Sequence, residues 1–135
     1  MAGGILVVDD SEGERTLLAN LLGRSGYRVT TASDGMLAWR LLQQSSVSYD
    51  LVITDFTMPM MNGIELLEKI QAAYPRIRVV LVTGHGYLGN TITSKAQRKG
   101  AFAVLPKPCS FEHLHETIKR ALLQSPATEG PVPSP

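Results

Sequence analysis

Leu51-Val52-Ile53-Thr54-Asp55-Phe56-Thr57-Met58-Pro59 joins an apolar run of strand length to a single carboxylate at its far end. Beyond Asp55 a strand cannot continue. Pro59 has no N–H to give a ladder, and Gly63, four residues on, marks a turn. A run without polar alternation suits a strand covered on both faces, as in a parallel sheet. In such sheets ligands bind beyond the carboxyl ends of the strands, where Asp55 lies.

Three other runs repeat this design. Ile5-Leu6-Val7-Val8 ends in Asp9-Asp10, Ile77 to Val82 ends in Thr83-Gly84, and Ala101 to Leu105 ends in Pro106-Lys107-Pro108. Tyr27 to Ala32 is a more polar strand, suited to a sheet edge. Helical periodicity fills the intervals. Ser11 and Glu14 have capping-box spacing ahead of an inward stripe of Leu17, Leu18, Leu21 and Leu22. Ser33 or Asp34 caps a second helix, with Leu37, Ala38, Leu41 and Leu42 inward. Asn62 and Glu65 repeat the capping spacing before Leu66, Leu67 and Ile70, and Tyr74-Pro75 ends that helix. The fourth helix, Leu88 to Lys99, has the weakest pattern: glycines at 84, 86 and 89 and few anchors beyond Ile92 and Ala96. Leu114, Ile118, Ala121 and Leu122 line one face of the fifth.

Five strands alternating with five helices predict an α/β fold with a five-stranded parallel sheet, doubly wound and flavodoxin-like, (βα)5, in strand order 2-1-3-4-5. That order sets the ends of strands 1 and 3 side by side. A domain over 1–124 is expected, followed by a disordered proline- and serine-rich tail or cut linker over 125–135, which holds four prolines.

Composition narrows the function. The 135 residues carry 13 basic and 12 acidic side chains, net +1, which gives no electrostatic case for nucleic acid or an anionic membrane. No apolar run approaches the roughly 20 residues of a membrane span. Met1-Ala2-Gly3-Gly4 is unlike a signal peptide, and Cys109, the sole cysteine, excludes an internal disulfide. The cytoplasm is the expected location.

The strand ends gather Asp9, Asp10, Asp55, Thr83 and Lys107 on one edge. Three carboxylates against one ammonium repel one another unless a cation intervenes. An oxygen-only set open to water suits Mg²⁺. Aspartate can attack phosphorus to form an acyl phosphate, and a hydroxyl and an ammonium can then donate to the phosphoryl oxygens. Phosphoryl transfer asks little more of a protein than this positioning and charge.

Over about Gly4 to Leu123 the chain resembles the receiver domain of two-component response regulators. The resemblance rests on a set of motifs in order: Val7-Val8-Asp9-Asp10, Asp55-x-x-Met58-Pro59-x-Met61-Asn62-Gly63, Val82-Thr83-Gly84, and Gly100-Ala101 leading to Leu105-Pro106-Lys107-Pro108. It implies that Asp55 is the phospho-acceptor and that Asp10, Asp55 and the backbone carbonyl of Thr57 ligate Mg²⁺. Asp9 is then the further acid of the metal site, acting through water, Thr83 the switch hydroxyl, and Lys107 the lysine that bridges to the acceptor and its phosphate. A cis Lys107–Pro108 peptide is implied as well. The implied partners are a sensor histidine kinase or phosphotransfer protein as donor. A downstream effector or a second copy would read the face of helix 4, strand 5 and helix 5. Such a domain is a signalling phospho-acceptor that promotes its own phosphorylation and dephosphorylation, not a metabolic enzyme.

In one place the chain departs from the family. Val104 stands where many receivers carry Tyr or Phe, three residues before the lysine, and Phe102 is expected on the same strand face. Competing functions fit less well. Asp55-Phe56-Thr57 lacks the second acid that haloacid-dehalogenase-type hydrolases place two residues after the nucleophile. The loop after the first strand is acidic where a flavin-phosphate cradle is rich in glycine, serine and threonine. A binding-only, degenerate receiver is opposed by the complete set of Asp9, Asp10, Asp55, Thr83 and Lys107. His85, His113 and His115 have no partner at metal-ligand spacing and suit surface or local contacts. His85, two residues past Thr83, is also placed to modulate the access of water to an acyl phosphate. Trp39 suits half-buried packing, and Cys109 an inert thiol.

Overall fold

A computed structural model describes residues 4–44, 48–57, 61–84 and 89–123. The elements alternate: β1 (Gly4–Val8), α1 (Glu12–Arg24), β2 (Arg28–Ala32), α2 (Gly35–Gln43), β3 (Leu51–Asp55), α3 (Gly63–Ala73), β4 (Arg78–Thr83), α4 (Gly89–Arg98), β5 (Ala103–Pro106) and α5 (Phe111–Leu123). All four strand pairings are parallel, in the order β2-β1-β3-β4-β5. The expected topology holds, with the polar β2 at an edge.

Each central strand is apolar on both faces because each face has its own helical layer. Leu6, Val8, Val52, Val79 and Leu81 join Ala38, Leu42, Leu66, Leu67, Ile70 and Ala96 beneath α2, α3 and α4. Ile5, Val7, Leu51, Ile53 and Val80 join Leu22, Leu114, Ile118 and Ala121 beneath α1 and α5. Each fully buried Leu or Ile contributes roughly 1.5–3 kcal/mol of burial free energy.

The caps follow local chemistry. Asp34 accepts the N–H of Leu37 at 2.8 Å, which settles the choice between Ser33 and Asp34. Asn62 and Glu65 form a complete capping box, at 2.9 and 3.0 Å, so α3 starts directly behind the end of β3. Gly63 allows that close start: a Cβ there would lie 2.6 Å from the carbonyl oxygen of Asp55 and 2.5 Å from Leu81 Cδ1.

Two inward placements differ from expectation. Leu17 is 60% exposed, because α1 turns it to the groove beside α5 rather than into the sheet, and of its stripe only Leu22 is fully buried. Leu37 is exposed as well. The inward line of α2 runs Gly35-Ala38-Leu42, and Leu37 sits about 100° of helix rotation from Ala38. Met58-Pro59-Met60, His85 and the residues from 125 on lie outside the described residues.

Candidate functional site

Register assembles the site. Val8 pairs with Thr54, so the next residues, Asp9 and Asp55, leave adjacent strands at the same level. The ladder then runs on past the strands. Asp9 N–H donates to Ala32 O at 3.1 Å, Phe56 N–H to Val82 O at 2.9 Å and Lys107 N–H to Thr83 O at 2.8 Å. These bonds fix the backbone beneath Asp9, Asp55, Thr83 and Lys107, at one edge of the sheet.

The side chains converge. Asp9, Asp10 and Asp55 each present a carboxylate oxygen, and the three oxygens lie within 4.8 Å of one another. Lys107 Nζ stands 3.1 Å from Asp55 Oδ2 and 3.5 Å from Asp9 Oδ2. Thr83 is buried at the end of β4, and Thr57 is exposed two residues past Asp55. The β1–α1 loop is held by Arg15, whose Nη1 donates to Asp9 O at 2.7 Å, and by Ser11 N–H, which donates to Asp9 Oδ1 at 2.8 Å. The Lys107–Pro108 peptide is cis.

The charges respond as crowding requires. Burial raises the Asp9 pKa, helped by the nearby carboxylates of Asp55 and Glu14 and opposed by the Ser11 N–H and Lys107. Burial opposes the charge on Lys107. The hydrogen bond to Glu14, the charge and hydrogen bond of Asp55 and the charge of Asp9 outweigh it, and the ammonium is held well above its ordinary pKa.

Comparison with known proteins places this arrangement. The family model described as response regulator receiver domain matches residues 5–119. The chain belongs to the response regulator receiver family. Among curated relatives, the receiver is 36% identical over 121 residues to the DNA-binding transcriptional regulator NtrC of Azospirillum brasilense, covering 90% of this chain and 24% of that protein. It is 38% identical over 126 residues to the transcriptional regulatory protein GlrR of Escherichia coli K12, covering 93% and 28%. It thus spans about a quarter of the length of these relatives. Among solved structures, a response regulator receiver domain protein from Clostridium thermocellum superposes with a TM-score of 0.83 at 35% identity, covering 92% of this chain and 96% of that one. The receiver domain of NtrX from Brucella abortus gives 0.81 at 32%, covering 90% and 99%.

The receiver's sequence left two features of the site hidden. Glu14 has capping spacing from Ser11, and its N–H does reach Ser11 Oγ at 3.4 Å. Its carboxylate goes instead to Lys107 Nζ, at 2.8 Å the shortest of the three ion pairs that ammonium makes among the described residues. The position could have been suspected, since an acid one turn into a helix that starts right after Asp9-Asp10 stands above the strand ends. The second feature is a groove of about 520 Å³ beside the site, lined by Leu17, Leu18, Leu21, Phe111 and Leu114 and reaching Asp55 and Lys107.

One expectation about the receiver's last strand fails. Phe102 does not share the face of Val104. Val104 packs on the α2–α4 side, whereas Phe102, just ahead of β5, packs on the α1–α5 side with the Arg78 guanidinium 5.8 Å from its ring centre. The separation lies in the start of β5 at Ala103: Phe102 precedes the strand, so strand alternation does not govern it. Other residues meet expectation. Trp39 is half-buried against Tyr74, with Lys69 Nζ 5.4 Å from its ring centre. His115 makes a local contact, 3.2 Å from the Tyr27 hydroxyl. Burial pushes the Cys109 thiol up, opposed by the Leu114 N–H, so the thiol stays protonated at neutral pH.

Proposed function

We propose that this receiver takes a phosphoryl group on Asp55 from a histidine kinase or phosphotransfer protein and passes the signal on through a changed binding surface. The observation that carries the proposal is the convergence on Asp55 Oδ2 of the Lys107 ammonium at 3.1 Å, with Asp9 and Asp10 alongside. In the transfer a carboxylate oxygen of Asp55 forms a bond to phosphorus. The donor's P–N or P–O bond breaks, and its electron pair leaves with the donor. Lys107 donates to a phosphoryl oxygen and offsets its charge. The Thr83 hydroxyl, on the neighbouring strand end, donates to a second one.

The three carboxylates suit Mg²⁺ in donor chemistry: an oxygen-only set, partly exposed, with an oxygen of each within 4.8 Å of the others. Asp10, Asp55 and the Thr57 carbonyl would hold it, with Asp9 as the further acid acting through water. Bound there, Mg²⁺ supplies positive charge against the carboxylates and the incoming phosphoryl oxygens. Hydrolysis of the acyl phosphate, promoted by the same side chains, resets the domain, so the receiver times its own signal without turning over a metabolite.

The face of α4, β5 and α5 meets the downstream effector or a second copy, in the cytoplasm. Val104 has one χ angle and no ring, so it cannot present an aromatic side chain at that surface. The signal therefore travels chiefly by displacement of residues 84–99 when the Thr83 hydroxyl moves to the phosphoryl group. Among the described side chains of α4, Ala96 alone is buried, and few apolar contacts oppose such a shift.

Incubation with a small acyl phosphate and Mg²⁺ tests the proposal. Intact mass should show one added phosphoryl group on the wild type and none on Asp55→Asn. Equal labelling of both would overturn the assignment.

A further inference from the structure

Lys107 is held from two directions. Asp55 and Asp9 draw its ammonium over the strand ends, at 3.1 and 3.5 Å, while Glu14 draws it towards α1 at 2.8 Å. Glu14 belongs to neither the acid pair nor the acceptor, and its side chain is 58% exposed at the mouth of the site. Resting on the proposed role of Asp55, we infer that Glu14 is a positioning residue that acts as an electrostatic brake, retaining Lys107 at the rim and repelling the phosphoryl donor.

An ammonium has three N–H donors, and here three carboxylates occupy its surroundings. Asp55 and Asp9 must stay near Lys107 for the chemistry, so Glu14 is the partner that can be given up when a phosphoryl oxygen arrives. Until then four carboxylates stand around the Lys107 ammonium, with the Arg15 guanidinium behind them on Asp9 O. A phosphoryl donor is itself an anion, with charge close to −2 near neutral pH. It therefore approaches against one more negative charge than the acid pair and acceptor impose. Arg15, the next residue on α1, donates through Nη1 to Asp9 O at 2.7 Å, so its guanidinium is committed to the β1–α1 loop in the wild type and in the Glu14 variants alike. Ser11 Oγ accepts the backbone N–H of Glu14 at 3.4 Å and leaves its carboxylate to Lys107.

Neutralising Glu14 removes both effects together. Lys107 becomes available to the phosphoryl oxygens, and the field at the mouth becomes less negative. The test is the rate of phosphorylation by acetyl phosphate with Mg²⁺, followed by intact mass, in wild type, Glu14→Gln and Glu14→Asp. The Gln variant should be phosphorylated about three- to tenfold faster at low salt. Glu14→Asp, which keeps the charge, should remain near the wild-type rate. The gain should shrink towards unity near 1 M KCl, where charges are screened over about 3 Å. Beryllofluoride should bind Glu14→Gln more tightly by a similar factor, a readout that needs no turnover. A merely structural role would give no salt dependence and no rescue by aspartate. Uptake by the Gln variant at or below the wild-type rate, or a gain unchanged by salt, would overturn the inference while leaving the role of Asp55 intact. Absence of uptake by the wild type would remove the role of Asp55 and this inference with it.

Discussion

Replacing Gly63 by alanine should damage the fold and the site together, although alanine is the better helix former. Gly63 opens α3, where it faces the end of β3. A Cβ there would stand 2.5 Å from Leu81 Cδ1, 2.6 Å from Asp55 O and 3.0 Å from Phe56 Cα. Two of these neighbours are backbone, and the Gly63 N–H donates to Phe56 O at 2.9 Å, so the turn cannot open without losing that bond. Overpacking of this kind costs about 1–3 kcal/mol. For a domain of this size each kcal/mol moves Tm by roughly 4 °C, which gives a fall of about 4–12 °C. The same substitution at Gly23, exposed near the end of α1, would place its Cβ with nothing within 4 Å. There helix propensity alone acts, for a gain of about 0.5–1 kcal/mol and a rise of roughly 2–4 °C. Thermal unfolding of both variants by circular dichroism is the assay, joined to phosphorylation kinetics, which should slow in Gly63→Ala because relief displaces the backbone under Asp55. A Gly63→Ala protein that melts at or above the wild type would refute the close approach of α3 to the strand end.

Other consequences concern charge and signal. Without divalent cations Asp9→Asn should raise Tm at pH 7, because burial and neighbouring carboxylates oppose ionisation of Asp9 while an asparagine oxygen can still accept the Ser11 N–H. The Asp9 pKa is raised on folding, so the wild type loses stability as pH climbs through that value; the gain should vanish below the ordinary carboxylate range, and a gain persisting there would contradict its electrostatic origin. Mg²⁺ at ten times its Kd should stabilise the wild type by about 1.4 kcal/mol, and Asp10→Ala should abolish the response; an unchanged response would move the metal elsewhere. Amide hydrogen exchange with and without beryllofluoride should change protection over residues 84–99, whereas changes confined to β5 and α5 would show that the signal takes another route.

The fold was legible in the sequence because its strands are buried on both faces and therefore read as unbroken apolar runs. Leu51 to Thr54 are all buried in the structure, as are Ile5 to Val8. The ends of those runs carry the candidate site residues, and parallel topology brings Asp9, Asp10, Asp55 and Lys107 to one edge. Helix faces were less legible. Leu17 has the character of a core residue yet lines a groove between α1 and α5, and periodicity cannot tell a sheet from a groove. Strand alternation misplaced Phe102 because β5 begins one residue after it. Glu14 was hidden for a different reason. Its spacing from Ser11 satisfied a local rule, while its carboxylate is committed to Lys107, 93 residues away. The place of an acid one turn into α1 is visible in the sequence, but its pairing with a lysine that far along the chain is not. At Asn62 and Glu65 the capping box did form, and both halves of the local rule hold.

The most direct test of the account is chemical mapping of the phosphorylated residue. Phosphorylation with acetyl phosphate and Mg²⁺, followed at once by borohydride reduction, converts an acyl phosphate of aspartate into homoserine, and peptide mass mapping then locates it. Homoserine at position 55 alone is the expected result. Homoserine at position 9 or 10, or its absence from a protein whose intact mass shows the added phosphoryl group, would contradict the assignment of Asp55 as the acceptor.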